Sequence, residues 1–208
     1  MISSTNILLL ILAYLLGSIP FSVIAGKLLK GIDIREYGSG NAGATNVFRV
    51  LGKKAGLPVL ILDILKGYLA VNLVYFSDFN EDPNMYVNLS LSFGVIAVIG
   101  HILPIFLAFR GGKGVATLLG LMIGVFPYAA IFSILVFLFV LIISKYVSLS
   151  SIIASLFFPI GVYLFFDNLI PTVIIFSLFV PIIIIVTHQR NIERIFKGEE
   201  SKVKIFKK

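Results

Sequence analysis

"VATLLGLMIGVFPYAAIFSILVFLFVLII", Val115 to Ile143, runs for twenty-nine residues without a charge. As one helix it is too long for a bilayer without strong tilt, and Pro127 is a natural place for the chain to turn. Broken there, it gives two spans, the first of them short. The break sets the number of crossings and hence which loops share a membrane face.

Working outward, the remaining apolar runs are counted against the roughly 20 residues a spanning helix needs. Spans are expected near 6–26, 55–76, 86–108, 115–126, 128–144, 149–166 and 170–187. The fold class is therefore an all-α integral membrane protein with seven transmembrane helices, in one polytopic domain over 1–208. Charge supports the break. With seven spans, Lys27, Lys30, Arg35, Arg49, Lys53, Lys54, Arg110, Lys113, Lys145 and the seven basic residues from Arg190 to Lys208 share one side, sixteen of the seventeen Lys and Arg. The exception, Lys66, lies within a span, and "SDFNEDPN" and the Asp167 turn fall opposite with no basic residue. Merging the spans at Pro127 would put either the 27–54 loop or the basic tail on the wrong side. The N-terminus is thus expected outside and the C-terminus in the cytoplasm.

Composition agrees, with 59% apolar and 13% charged residues among 208 and a mean hydropathy of +1.06. Such values lie outside the range of soluble domains. The net charge of +7 is laid out as membrane topology, so no nucleic-acid partner is expected. No cysteine and two histidines leave no thiolate or His-rich metal centre, and neither metal nor cofactor is implied. "NILLLILAYLLGSIPFSVIAG" lacks a basic flank before it and reads as a retained first span. No internal repeat of the transporter kind is evident. The tail "KGEESKVKIFKK" reads as a basic surface segment near anionic headgroups.

Three segments collect polar chemistry on the expected cytoplasmic face: "YGSGNAGATNVFR", "GHILPIFLAFRGGKGVAT" and "THQRNIERIFKGEE". In the first, Gly38, Gly40 and Gly43 allow successive N–H groups to line one concavity, while Ser39, Asn41, Thr45 and Asn46 add donors. Arg49 shares the face of Thr45 and Asn46 if a helix begins there. A donor-rich, acid-free run followed by Arg suits phosphate. In the second, Gly111, Gly112 and Gly114 flank Lys113 just before a helix, so a phosphate could meet a point charge and a helix N-terminus together. The nucleotide-binding pattern GxxxxGK[ST] is absent. His101, about five residues before the end of its span, reads as a packing histidine. His188 and Asn191, i and i+3, can share one face and reach a ligand. Asp63 and Lys66, also i and i+3, read as an intrahelical ion pair facing the bundle, with a supporting role near the site as the secondary possibility.

"GSGNAGATNVFRVLGKKAG", "LDILKG", "GHILPIF…FRGGKGVAT", "KYVSLSS" and H-x-x-N-I-x-R…E (His188, Asn191, Ile192, Arg194, Glu200) resemble, in order, the motifs of the bacterial acyl-phosphate:glycerol-3-phosphate acyltransferases (PlsY). The similarity covers about residues 10–200. Gln189 and Arg190 depart from the family, which commonly has Arg and then an acidic residue there.

The resemblance implies a seven-span enzyme moving an acyl group from acyl phosphate to the 1-hydroxyl of sn-glycerol 3-phosphate, giving lysophosphatidic acid and phosphate, the first acylation of phospholipid synthesis. By similarity Ser39, Arg49, Lys113, His188 and Asn191 are catalytic. Gly38, Gly40, Asn41, Thr45, Asn46, Gly111, Gly112, Gly114 and Ser148 would bind substrate, with Asp63, Lys66, His101 and Glu200 supporting. The expected setting is the bacterial inner membrane, multi-pass, with a cytoplasmic site, a monomer and membrane lipid around it. The competing class is a permease for a phosphorylated solute. Against it stands the clustering of polar groups at one edge, where transporters place theirs at the midplane.

Overall fold

The computed structural model describes residues 3–78 and 82–203. Part of the "SDFNEDPN" turn and the last basic residues of the tail lie outside them. By its contacts the chain divides into two compact units, Met1–Val125 and Phe126–Lys208.

The first unit holds α1 (Ser4–Ser18), α2 (Phe21–Lys30), a 3-10 turn (Ile34–Glu36), α3 (Ala44–Val50), α4 (Lys53–Asn72), a 3-10 turn (Leu73–Phe76), α5 (Pro83–Ile102), a 3-10 turn (Ile105–Leu107) and α6 (Val115–Val125). The second holds α7 (Pro127–Ser144), α8 (Val147–Phe165), α9 (Pro171–Thr187) and α10 (Gln189–Phe196). Helix α6 stops at Val125 and α7 starts on Pro127, which stands at its first position, where proline's missing N–H costs nothing. The long apolar stretch therefore breaks where the sequence indicates.

Among the described residues, five segments are long and apolar enough to cross a membrane, or six if α9 and α10, bent by 62°, count as one. Helix α6, at 11 residues, falls short of that length. The first expected span, 6–26, is not one helix. It breaks between Ser18 and Phe21, because Pro20 lacks an N–H to continue the ladder and pushes Ile19 into extended backbone.

Close helix pairs in the first unit rest on glycine. A Cβ on Gly17 would strike the Ala97 carbonyl, and one on Gly100 the Tyr14 carbonyl, so α1 and α5 approach backbone to backbone. Gly67 faces the Thr117 carbonyl and Gly120 the Ile64 carbonyl in the same way, which seats the short α6 on α4. Leu9, Ala13, Ala70, Val74, Phe93 and Ala97 form the apolar centre between α1, α4 and α5. The 31–52 loop has a core of its own, in which Ile34, Ala42, Ala44 and Val47 pack with Val23, Ala55 and Val59. In the second unit Phe126 stacks on Phe176 at 5.9 Å and meets Phe158 edge-on at 5.8 Å, while Gly161 lets α8 close on Ala129 of α7. Apolar side chains such as Ile142 and Tyr163, 63% and 74% exposed, point outward as a lipid-facing surface requires.

Candidate active site

The first glycine segment is a folded loop held by one amide. Gly38 and Gly40 have φ of 64° and 73°, the left-handed region glycine enters without strain. A Cβ on Gly38 would also strike the Asn46 carboxamide oxygen. The Ser39 N–H donates to Asn46 Oδ1 at 2.8 Å, and Asn46 Nδ2 donates to the carbonyls of Ile34 (2.8 Å) and Tyr37 (3.0 Å). With both Nδ2 protons and Oδ1 engaged, buried Asn46 holds the loop in shape, where the sequence pointed to substrate contact. A helix does begin at Ala44, but the expected common face divides. Thr45 and Arg49 lie exposed at i and i+4, while Asn46 turns inward.

The loop's anion-capable donors lie further along than its first glycines. Ser39 N–H goes to Asn46, and Gly40 N–H closes a turn on the Tyr37 carbonyl at 3.1 Å. Among the described residues, the N–H groups of 41–45 make no hydrogen bond within the chain. Upstream, Arg35 grips Asp33 through Nη2–Oδ2 at 2.7 Å and Nε–Oδ1 at 3.1 Å. The Arg35 hydrogen bonds hold the Asp33 carboxyl below its usual range, and Asp33 in turn raises the guanidinium.

In the second segment the glycines serve close approach. Helix α5 ends at Ile102, which puts His101 in its last turn, nearer the end than expected. The Gly111 N–H donates to the Ile102 carbonyl and the Gly112 N–H to the His101 carbonyl, both at 3.1 Å. These bonds satisfy carbonyls a helix end leaves unpaired. A Cβ on Gly111 would strike the His101 carbonyl and one on Gly112 the imidazole Nε2, so only glycine lets the segment lie against α5. The N–H groups of two glycines expected to bind substrate thus tether the loop. Gly114, with φ of 81°, then turns the chain into α6, and Lys113 stands half-buried between these glycines.

Beneath the two loops is a buried ionic group. Lys66 Nζ lies 2.9 Å from Asp63 Oδ1, both residues 2% exposed, as the spacing implied. The same ammonium donates to the Ile19 carbonyl at 3.1 Å and sits 5.7 Å over the Phe21 ring. Ile19 is the residue whose carbonyl the Pro20 break leaves out of the helix ladder, so the lysine closes the gap. His101 Nδ1 is 3.6 Å from Asp63 Oδ1. A narrow crevice is lined by Ala42, Asp63, Lys66, His101, Gly111 and Gly112 together. The "GSGNAGATN", "LDILKG" and "GHILP…RGGKG" motifs therefore meet within the first unit.

In the second unit, His188 is the junction between α9 and α10 and not an interior helical residue. Its Nδ1 lies 2.7 Å from the Ile184 carbonyl. A carbonyl only accepts, so Nδ1 carries the proton and Nε2 is the basic nitrogen of the neutral ring. The Asn191 N–H returns to the His188 carbonyl at 2.8 Å, and the buried Asn191 side chain donates through Nδ2 to Glu200 Oε1 at 2.7 Å. Ser148 Oγ donates to the same oxygen at 2.9 Å, and Arg194 Nε lies 3.0 Å from Oε2 as an ion pair. Glu200, itself buried, so clasps α8 and α10. Ser148, assigned to substrate from sequence, is one of its ligands.

Sequence reasoning missed the loop-holding part of Asn46, the Asp33–Arg35 grip and the Ile19–Lys66 closure. Only the last had a readable signal, Pro20 inside an apolar run followed far along by a lone intramembrane lysine.

Known proteins carry the same pattern. The family model described as "Glycerol-3-phosphate acyltransferase" matches residues 7–198. The "Glycerol-3-phosphate acyltransferase" of Chlorobaculum tepidum is 44% identical over 98% of this chain and 99% of its own length. That of Staphylococcus haemolyticus is 48% identical over 95% and 98%. Two crystal structures of PlsY (YgiH), an integral membrane glycerol 3-phosphate acyltransferase, each share 40% identity. Its glycerol 3-phosphate form matches with a TM-score of 0.85 over 96% of both chains. Its lysophosphatidic acid form matches with a TM-score of 0.82 over 96% of this chain and 95% of its own. Motif for motif and over nearly its whole length, this chain belongs to the glycerol-3-phosphate acyltransferase family.

Proposed function

We propose that this protein transfers a fatty acyl group from acyl phosphate to the 1-hydroxyl of sn-glycerol 3-phosphate, releasing phosphate and lysophosphatidic acid. The observation that carries the reading is the meeting of the two glycine segments at one crevice, with N–H groups at 41–45 unengaged among the described residues and no carboxylate in either segment. Both substrates and one product are phosphates, and such donors suit them. An acyl phosphate is already activated, because phosphate leaves once its charge is offset. The glycerol hydroxyl attacks the acyl carbonyl directly, the carbonyl–phosphate bond breaks, and the hydroxyl proton goes to His188 Nε2 or to a substrate phosphate oxygen. Lys113 and Arg49 offset phosphate charge. Ser39 and Asn191 position substrate or stabilise the oxyanion, an interaction worth about 3 kcal/mol in other enzymes. Asn41, Thr45 and the glycines Gly38, Gly40 and Gly114 shape the phosphate cradle, and Glu200 sets Asn191.

The chain acts as a monomer with seven spans, its N-terminus outside and the site facing the cytoplasm of the inner membrane. Because the sequence lacks cysteine, single cysteines placed at Lys53 and Asp78 test the topology by one-sided thiol labelling. Purified protein given acyl phosphate and glycerol 3-phosphate should release phosphate only when both are present. Transfer from an acyl thioester at an equal rate would remove the proposed donor. An acyl group trapped on Ser39 during turnover would remove the direct attack.

A further inference from the structure

A second cationic site stands beside the loops already described. Lys27, in the last turn of α2, Arg35 and Arg110 line one open cleft with Val23, Phe106 and Leu107, about 450 Å³ in volume. None of the residues given a catalytic part lines it. Arg35 is held in place by Asp33 and reaches the Leu107 carbonyl through Nη1 at 3.4 Å, which ties the wall of the cleft to the 31–43 loop. The nearby carboxylates are Asp33, engaged by Arg35 and also in electrostatic range of Lys27, and Glu36, whose charge acts on the same guanidinium. The side chains of Lys27 and Arg110, both exposed, make no hydrogen bond or ion pair among the described residues.

The walls are as telling as the charges. Val23, Phe106 and Leu107 line the cleft, with Phe106 59% exposed, and outside the lining Leu28 and Leu29, which follow Lys27, and Phe109, which precedes Arg110, are 80%, 62% and 57% exposed. Ala108 and Phe109 have φ of 49° and 61°, two consecutive non-glycine residues in the left-handed region, a costly backbone that turns the chain just before Arg110. A soluble phosphate has no use for exposed leucines and phenylalanines around its cations. An amphiphile with an anionic head and apolar chains matches both halves.

We propose that the cleft between α2 and the Ile105–Arg110 segment holds the phosphate headgroup of one anionic membrane phospholipid, with its chains lying over Leu28, Phe106 and Phe109. Lys27 and Arg110 meet the phosphate, and Arg35, held by Asp33, forms the back of the cleft. The proposal does not depend on the acyl-transfer reading, since it assigns a lipid of the surrounding bilayer and not a reactant.

The test is native mass spectrometry of the full chain in neutral detergent, titrated with phosphatidylglycerol, phosphatidylcholine or inorganic phosphate. One phosphatidylglycerol should bind per chain, more tightly than phosphatidylcholine and undisplaced by inorganic phosphate. Each basic residue near an anionic headgroup contributes about fivefold to affinity, so K27Q/R110Q should weaken binding about thirtyfold. K53Q/K54Q removes the same charge from exposed positions of the same unit and should leave binding within about twofold. If the double variant does not fold, K27Q and R110Q singly should each show the fivefold loss, and K27R/R110K should retain binding. Unchanged binding in K27Q/R110Q, an equal loss in K53Q/K54Q, or displacement by inorganic phosphate overturns the proposal.

Discussion

The 31–52 loop of the first unit is held by a neutral amide, whereas the C-terminal bend of the second is held by a carboxylate. Asn46 reaches backbone only: it gives two protons to carbonyls and takes one from an N–H. Glu200 reaches side chains only, accepting from Ser148 and Asn191 and pairing with Arg194. The amide fixes the path of a chain rich in glycine, which has no side chains to pack. The carboxylate fixes the rotamer of an asparagine on a helix, where the backbone is already set. What matters at one anchor is donation and at the other acceptance, so isosteric exchange of acid and amide should affect them unequally.

The largest expected effect is therefore that of Asn46→Asp. It keeps the Ser39 contact but sets a carboxylate against the Ile34 and Tyr37 carbonyls, and should cost about 3 kcal/mol. Thermal unfolding should place it below Asn46→Ala; equal melting would break the distinction between the anchors. Glu200→Ala strips Asn191 and Ser148 of their acceptor and leaves Arg194 unpaired, costing about 2 kcal/mol. Turnover should fall further than glycerol 3-phosphate affinity if Asn191 acts on the reacting atoms. Gly38→Ala combines a strained φ with a collision on Asn46 and should cost about 1–2 kcal/mol, with accelerated proteolysis confined to the 31–43 loop. Glu200→Gln keeps an acceptor for Ser148 and Asn191 but turns an amide NH2 toward the Arg194 Nε donor, so its melting should drop, though by less than that of Glu200→Ala.

The smallest effect is in pH. Asp33 has its pKa lowered by Arg35, so its contribution is present above the unfolded value, about 3.9, and disappears as pH falls through the lowered folded value. The melting curves of wild type and Asp33→Asn should differ at pH 6 and converge below pH 3. A gap that persisted in acid would show that the pair holds the loop by shape alone.

Features written locally were legible in the sequence. Pro127 breaks the helix, and Asp63 reaches Lys66 one turn away. Pro20 carried the same kind of signal, but the hydropathy of the surrounding run hid it, because hydropathy measures apolarity and not helical continuity. The clasp on Glu200 joins residues 52 apart, a separation no spacing rule reaches. The structural part of Asn46, Gly111 and Gly112 stayed hidden for one reason. A donor in a glycine-rich loop looks the same in sequence whether it serves a ligand or the loop's own carbonyls, and only coordinates count the bonds already made.

Helix α6 has 11 residues, or about 16 Å of rise, against a hydrocarbon layer about 30 Å deep. One of its ends must stop well short of the lipid headgroups. Gly67 and Gly120 seat it backbone to backbone on α4, and tilting would only reduce the height it spans. A helix of that length does not by itself carry the chain across an undeformed hydrocarbon layer, so the depth at which α6 begins and ends is set by its seat on α4 and not by the membrane.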